Sequence, residues 1–167
     1  MAMFKRRAES VDARRIRELE AQAAAMDRAQ AVCEFSMDGQ VLRANDNFVK
    51  AVGYGATDLA SRSHGALVGA EAAASLEHRE LWLKLNKGEI VSGRFRFLTR
   101  AGEVCWLRAS FAPVSDETGR ITKAVLFGSD VTGTVTEREA MESERLQAQK
   151  AQSALITTLA QNLHKVA

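Results

Sequence analysis

Three long runs with strand character follow one another near the middle of the chain, and they restrict the fold more than any other feature. The runs are Ile90–Thr99, Glu103–Val114 and Ile121–Ser129, and they are separated by turn sequences that contain Ala101-Gly102 and "SDETGR". Strands joined by such short turns pair antiparallel with their neighbours in sequence. This part of the chain therefore predicts an antiparallel sheet.

A second group of strands and short helices precedes these runs. The stretch "AVCEFSMDGQVLRAN" has two short apolar segments around Asp38-Gly39, which predicts a hairpin because glycine supplies the positive φ of the turn. "NDNFVKAVGY" predicts a short helix closed by Gly53, and Glu71–Asn86 predicts a longer helix that ends at Lys87-Gly88. The whole order predicts an α+β domain over residues 31–131, with a five-stranded antiparallel sheet and helices on one face.

Residues 1–30 have a helical composition instead. Between Phe4 and Gln30 there is no glycine or proline, and apolar side chains recur at spacings of three, four and three in a stripe formed by Ile16, Leu19, Ala23 and Met26. Such a narrow stripe is typical of helices that pair with one another. A helix this polar is not stable alone, so we expect an amphipathic helix that caps the domain, forms a coiled coil with a second copy, or does both.

Residues 132–167 are helical in character again. The apolar pattern becomes denser toward the end, where it includes Leu155, Leu159 and Leu163. It is still running at Ala167 without a capping residue, which predicts a signalling or linker helix truncated from a longer protein.

Charge and hydropathy restrict the partners and the location. The formal net charge is +2, from 23 basic and 21 acidic residues, and this balance does not indicate nucleic acid or an anionic membrane as a partner. The basic cluster Phe4–Arg7 is interpreted as a solvated helix start, with a basic arm as the alternative. There is no apolar run of about 18 residues and no signal peptide, so we expect a cytoplasmic protein without a membrane span.

The sequence contains no recognisable catalytic motif. It has no paired carboxylates at a catalytic spacing, no phosphate-binding glycine loop and no cluster of metal ligands, so we expect no enzymatic activity. Cys33 and Cys105 lie in apolar strand-like runs and are expected to be reduced thiols rather than a disulfide.

Several blocks, in this order along the chain, resemble a PAS domain. They are "ANDNF", "ELWLKLNKGEIVSG", the Trp106 strand with Pro113, "DETGRI" and "SDVT", and the resemblance covers Asp27–Thr136. More narrowly, the blocks are similar to the PAS domains of bacterial cytoplasmic methyl-accepting chemotaxis receptors of the aerotaxis or energy-taxis type. "SALITTLAQNLHKVA" resembles the connector that precedes the signalling helices of such receptors, and a generic coiled coil is the competing interpretation.

The resemblance implies a sensory and dimerising module. A redox, gas or small-ligand signal in its pocket would be relayed to the C-terminal helix, with Asp130 and Thr132 holding the junction between the last strand and that helix. The implied partners are a second copy, bound through the flanking helices, and a downstream chemotaxis signalling domain with its kinase complex. Two alternatives stay open: a regulatory PAS domain of a histidine kinase or cyclic-dinucleotide enzyme, and a cofactor-free protein-interaction module.

His64, in "SRSHGAL", is the first candidate for a pocket contact. It stands where light-sensing flavin PAS domains carry a reactive cysteine, and an imidazole cannot form their thioether adduct. FAD-binding aerotaxis receptors have a histidine there, and Trp82 with "LKLNKGE" is similar to them as well, which implies that His64 and Trp82 contact a flavin. The alternative is a helix-start residue with a hydrogen bond to backbone. Asn45 is interpreted as a helix N-cap, with a pocket contact as its alternative.

His78 is the candidate ligand of a haem. On the predicted long helix it shares an apolar face with Leu81 and Trp82. Haem-binding PAS domains supply their axial histidine from this part of the fold, so the resemblance implies that His78 either packs in the core or ligates iron, which would be its only metal role. The cofactor therefore stays open between b-type haem, FAD and an empty pocket. His164 lies outside the domain and is expected to be solvated.

Overall fold

The computed structural model describes the backbone of residues 2–166 and the side chains of residues 12–154. The side chains of Phe4–Arg7 and His164, discussed above, lie outside these ranges. The elements in chain order are α1 (Ala2–Ala29), β1 (Ala31–Ser36), β2 (Val41–Ala44), α2 (Asp46–Val52), α3 (Ala56–Leu59), α4 (His64–Val68), α5 (Ala70–Ala73), α6 (Leu76–Asn86), β3 (Val91–Leu98), β4 (Val104–Ser115), β5 (Ile121–Asp130) and α7 (Thr132–Val166).

The predicted α+β class and five-stranded antiparallel sheet are confirmed. The strand order is β2-β1-β5-β4-β3, and each neighbouring pair is antiparallel. The three long strands begin and end within one residue of the predicted positions. Because β1 pairs with β5, the first hairpin lies beside the last strand, and the helices between β2 and β3 carry the chain from one edge of the sheet to the other.

One face of the sheet forms the core together with the short helices. The strands alternate as expected for a half-buried sheet: in β5, Ala124, Leu126 and Gly128 are buried, while Val125 and Phe127 between them are only half-buried. The largest fully buried side chains come from both layers and are Phe35, Phe48, Phe97, Phe111, Leu59, Leu67, Leu85, Leu107 and Leu126. Each such side chain contributes about 2 kcal/mol through removal of apolar surface from water.

The single long helix predicted over Glu71–Asn86 is wrong. The structure has two helices, α5 and α6, that are separated at Ala74 and Ser75. The Ser75 side chain accepts a hydrogen bond from the His78 N–H and so caps the start of α6. Serine competes with the helical backbone in this way, and here the cap ends one helix and begins the next. His78 consequently lies in the first turn of α6.

The predicted N-terminal helix is present, and its last turn is fixed to the sheet domain. Arg43 of β2 bonds to the Asp27 carboxylate at 2.7 Å, and the Asn45 side chain donates to the carbonyl oxygens of Asp27 and Gln30. The predicted apolar stripe of this helix is exposed: Ile16, Leu19 and Met26 have relative exposures of 55%, 48% and 53%. Pairing of this stripe with a second copy stays a prediction.

The chain divides into two compact units, residues 1–130 and residues 131–167. The second unit contains α7, the helix that was predicted from residue 132, and at its start the Thr136 hydroxyl donates to the Thr132 carbonyl oxygen at 2.8 Å. Within the described part of the chain, none of the helices is long and apolar enough to cross a membrane.

Candidate functional site

The structure brings three of the predicted site residues together. His64 is the first residue of α4, and Ser63 caps that helix by accepting from the Ala66 N–H. His78 and Trp82 lie one turn apart on α6. The backbone of His64 is held from the other side, since its N–H donates to the Gly39 carbonyl oxygen in the β1–β2 turn at 2.7 Å. We refer to His64, His78 and Trp82 as the histidine cluster.

Hydrogen bonds within the histidine cluster converge on one nitrogen atom. His78 Nε2 lies 3.0 Å from His64 Nδ1 and 3.4 Å from Trp82 Nε1. Because an indole N–H can only donate, His78 Nε2 is an acceptor, and its single lone pair is shared by the Trp82 N–H and by His64 donating from Nδ1. The remaining nitrogen of His64, Nε2, then carries a lone pair as well. It is buried and has no hydrogen-bond partner among the described residues.

Aromatic side chains enclose the His64 ring. Phe35, Phe111, Phe97 and Trp82 meet it edge to face, with ring-centre distances of 5.4, 5.4, 5.7 and 5.7 Å. His64 is only 2% exposed as a result. Burial, and secondarily the neighbouring His78, lower the pKa of His64 to about 3, and burial lowers the pKa of His78 as well. Both rings are therefore neutral at physiological pH.

A cleft of about 380 Å³ lies next to the histidine cluster, between α6 and strand β3. Its lining includes both histidines, apolar side chains and charged groups. The apolar residues are Val68, Ala72, Leu81, Val91, Phe95 and Trp106; the charged residues are Glu77, Glu80, Lys84, Arg94 and Arg96. This volume is at the small end of the range for sites that hold drug-sized ligands.

The histidine cluster does not fit a haem or a flavin in this arrangement. His78 Nε2, the expected iron ligand, already accepts two hydrogen bonds, and His64 Nε2 is enclosed by packed aromatic rings. Neither nitrogen faces a space that a porphyrin could occupy in this arrangement, and the cleft is too small to enclose a flavin dinucleotide. Haem ligation by His78 and flavin contact by His64 and Trp82 stay predictions, and each would require the core to repack.

The remaining predicted site residues lie elsewhere. The N-cap interpretation of Asn45 is confirmed, because its Oδ1 accepts from the Phe48 N–H, and it also accepts from the Val32 N–H. With its amide nitrogen donating to the end of α1, its hydrogen bonds all go to backbone, and its role as a pocket contact stays a prediction. Asp130 is the last residue of β5 and Thr132 the first of α7.

The aromatic rings around His64 and its contact with His78 were not predicted from the sequence. Alternation along β1, β3 and β4 places Phe35, Phe97 and Phe111 on the inner face of the sheet, which the sequence pattern does indicate. What the pattern does not contain is the position of α4 relative to α6, and this position decides which side chain faces those rings. No sequence signal links His64 to His78.

Comparison with known proteins agrees with the fold described above. The family model of the PAS fold matches residues 41–127, just over half of the chain. The biofilm dispersion protein BdlA of Pseudomonas aeruginosa is 42% identical over 115 residues, which are 69% of this chain and 28% of that protein. The present chain thus spans less than a third of the length of this relative.

Solved structures show the same fold at low identity. The structure of an RNA-binding light-oxygen-voltage receptor has a TM-score of 0.61 at 23% identity, over 77% of this chain and 36% of that one. The PAS domain of a protein from Colwellia psychrerythraea has a TM-score of 0.60 at 19% identity, over 69% of this chain and 98% of that one. At these identities the likeness concerns the fold alone.

Proposed function

The chain belongs to the PAS family, and from this premise we propose that it is the sensory and dimerising module of a bacterial chemoreceptor and not itself an enzyme. In this proposal a ligand binds in the cleft between α6 and β3, and the change is relayed through β5 to the C-terminal helix. Asp130 and Thr132, at the end of β5 and the start of α7, hold the junction. The 42% identity with the biofilm dispersion protein BdlA supports a role in bacterial behaviour.

The observation that carries the proposal is the buried histidine cluster. A domain that served only as a scaffold would be more stable with an apolar residue in place of His64, because an unpaired buried nitrogen costs about 1–3 kcal/mol. Buried polar groups without partners are rare in native proteins and often mark functional positions. Here His64 contacts Phe111 of β4, the strand that pairs with β5.

Relay requires two packing arrangements with different ligand affinity. The Trp82–His78 bond, at 3.4 Å, lies within α6, whereas the His64–His78 contact, at 3.0 Å, joins α6 to α4. A ligand in the cleft that separates His78 from His64 would change the packing of α6 on β3 and β4 and, through β4, the strand β5. In a homodimer formed through α1 and α7, this change would alter how the helices of the two copies pack. The competing interaction-module hypothesis assigns no role to the cluster.

A kinase-coupled chimera tests the relay without knowledge of the ligand. Residues 1–167 are placed before the signalling hairpin of a methyl-accepting receptor, and the activity of the coupled kinase is measured. His64→Phe removes the polar atom from the core, and we expect it to shift kinase activity severalfold. In an Asp130→Ala background the same substitution should have no effect, while in a Ser129→Ala background its effect should persist.

The outcome separates the proposal from its rivals. If His64→Phe leaves kinase activity unchanged, the cluster does not participate in sensing. If its effect persists in the Asp130→Ala background, Asp130 is not part of the relay. Circular dichroism of each variant confirms that the fold is retained.

A further inference from the structure

Helix α6 buries one side and leaves the opposite side in solvent. Leu81 and Leu85 lie four residues apart on the buried side and belong to the core. Leu76 and Leu83 lie seven residues apart on the other side of the helix, and they are 59% and 60% exposed. The solvent side of such a helix normally carries charged and polar residues. Two large leucines on one exposed line are therefore an apolar surface that the fold does not cover.

The residues between these two leucines carry opposite charges. Arg79 and Glu80 are both exposed, and across side chains 12–154 neither takes part in an ion pair. They do not neutralise each other, because adjacent residues of a helix point in different directions. We refer to Leu76, Arg79, Glu80 and Leu83 as the outer face of α6.

An antiparallel pair of two such helices matches all four residues of the outer face at once. In a two-fold symmetric pair, every contact of one residue with another is repeated with the roles exchanged. When Leu76 lies level with Leu83 of the second copy, Arg79 lies level with Glu80 of the second copy, because both contacts are centred between residues 79 and 80. The symmetry then gives two leucine contacts and two ion pairs.

Charge opposes the other arrangements of the same two helices. A parallel pair places Arg79 against Arg79 of the second copy and Glu80 against Glu80. An antiparallel pair with Leu83 level with Leu83 of the second copy places Arg79 level with Lys87. Like charges in contact across an interface suppress the wrong alignment, whereas apolar contact alone would not distinguish these alignments.

The outer face of α6 is thus complementary to itself in a single alignment. We propose that it is an interface on which a second copy of this chain docks antiparallel through its own α6. The outer face is separate from the exposed stripe of α1, so copies that pair through α1 can associate further through α6. One helix pair covers less than the about 800 Å² per partner of a standard interface, and the contact is accordingly weak.

Concentration-dependent NMR spectra of the 167-residue chain test the contact. The chain carries Leu19→Glu, so that pairing through α1 does not contribute, and it is labelled with ¹⁵N and diluted from about 1 mM to about 50 µM. We expect the amide resonances of residues 76–87 to shift together, with a dissociation constant above about 100 µM. Leu83→Glu should abolish these shifts, and Leu42→Glu, at an exposed leucine of β2, should leave them unchanged.

Charge reversals test the alignment. Arg79→Glu and Glu80→Arg each turn two attractive contacts into two repulsive ones, so each variant alone should associate about tenfold more weakly. An equimolar mixture of the two variants should regain the original association, because residues 79 and 80 of the two chains then carry opposite charges at both contacts. The double variant Arg79→Glu, Glu80→Arg should regain it as well, without a change in net charge. Arg120→Glu, the same reversal in the distant β4–β5 turn, should have no effect.

Each result decides for or against pairing between copies. Spectra that do not change up to about 1 mM would show that the outer face serves another partner and would overturn the proposal. Shifts that map outside α6, or a mixture that fails to regain association, would overturn the antiparallel alignment. Circular dichroism of each variant confirms that the fold is retained. These results are independent of the sensory function, whose test measures kinase activity and rests on His64.

Discussion

Acidification should destabilise the sheet domain because it charges a buried histidine. The folded-state pKa of His64 is about 3, below its ordinary value of 6.5, so the unfolded chain binds more protons than the folded chain at any pH near or between these values. The contribution of the neutral ring to the free energy of unfolding is fully present above pH 6.5 and is lost progressively as the pH falls toward 3. Most carboxylates titrate below pH 5, so the interval from pH 7 to pH 5 mainly reports histidines.

The size of the effect follows from the separation of the two pKa values. At pH 5 the unfolded imidazole is almost fully protonated, while the folded ring remains neutral because its pKa is about 3. Each pH unit below the unfolded value contributes about 1.4 kcal/mol, so His64 lowers the free energy of unfolding by about 2 kcal/mol between pH 7 and pH 5. His78, whose pKa is also lowered, adds to the loss in the same direction.

Urea unfolding followed by tryptophan fluorescence measures this loss. Both tryptophans, Trp82 and Trp106, belong to the sheet domain, so the signal does not report α7. The control is His64→Phe, in which residue 64 no longer titrates. Because each protein is compared with itself at the two pH values, the stability of the variant at pH 7 does not affect the comparison. The variant should lose about 2 kcal/mol less than the wild type between pH 7 and pH 5. Equal losses in the two proteins would show that His64 is accessible to protons in the folded state and would refute the buried arrangement.

Two further substitutions test the sheet and the N-terminal helix, each against a matched control. A Cβ added at Gly128 would lie 2.3 Å from the Arg108 carbonyl oxygen, whereas one at Gly93 would meet nothing within 4 Å. Gly128→Ala should therefore lower the free energy of unfolding in urea by about 3 kcal/mol, and Gly93→Ala by less than about 0.5 kcal/mol. Similar losses in the two variants would contradict the strand packing. Because α1 is expected to pair with a second copy, Leu19→Glu should convert a dimer to a monomer, as measured by light scattering at micromolar concentration. Leu42→Glu, at a similarly exposed leucine of β2, should leave the dimer intact. A wild-type chain that is already monomeric would refute dimerisation through this helix.

Local sequence was sufficient for most of the fold. Period-two alternation from Val91 to Asp130 and the turn residues between the strands specify the sheet because each strand buries one face, and a shift of one residue would expose it. The N-cap role of Asn45 was predictable because it depends only on residues within one helical turn. The break of the long helix was missed because Ser75 sits in an otherwise helical pattern, and a serine cap competes with helix continuation by a small margin.

The sequence by itself determined the PAS architecture, the flanking helices and the candidate residues His64, His78 and Trp82. Only the tertiary structure decided how these residues are arranged: His64 stands at a helix start, as one interpretation predicted, but its side chain lies in the core, where His78 serves it as a hydrogen-bond acceptor. The physical reason is that hydropathy and turn patterns describe interactions within an element, whereas the contact between α4 and α6 depends on how two helices pack over the same aromatic face. The buried position of the histidine in "SRSHGAL" is thus explained by the packing of residues far from it in sequence.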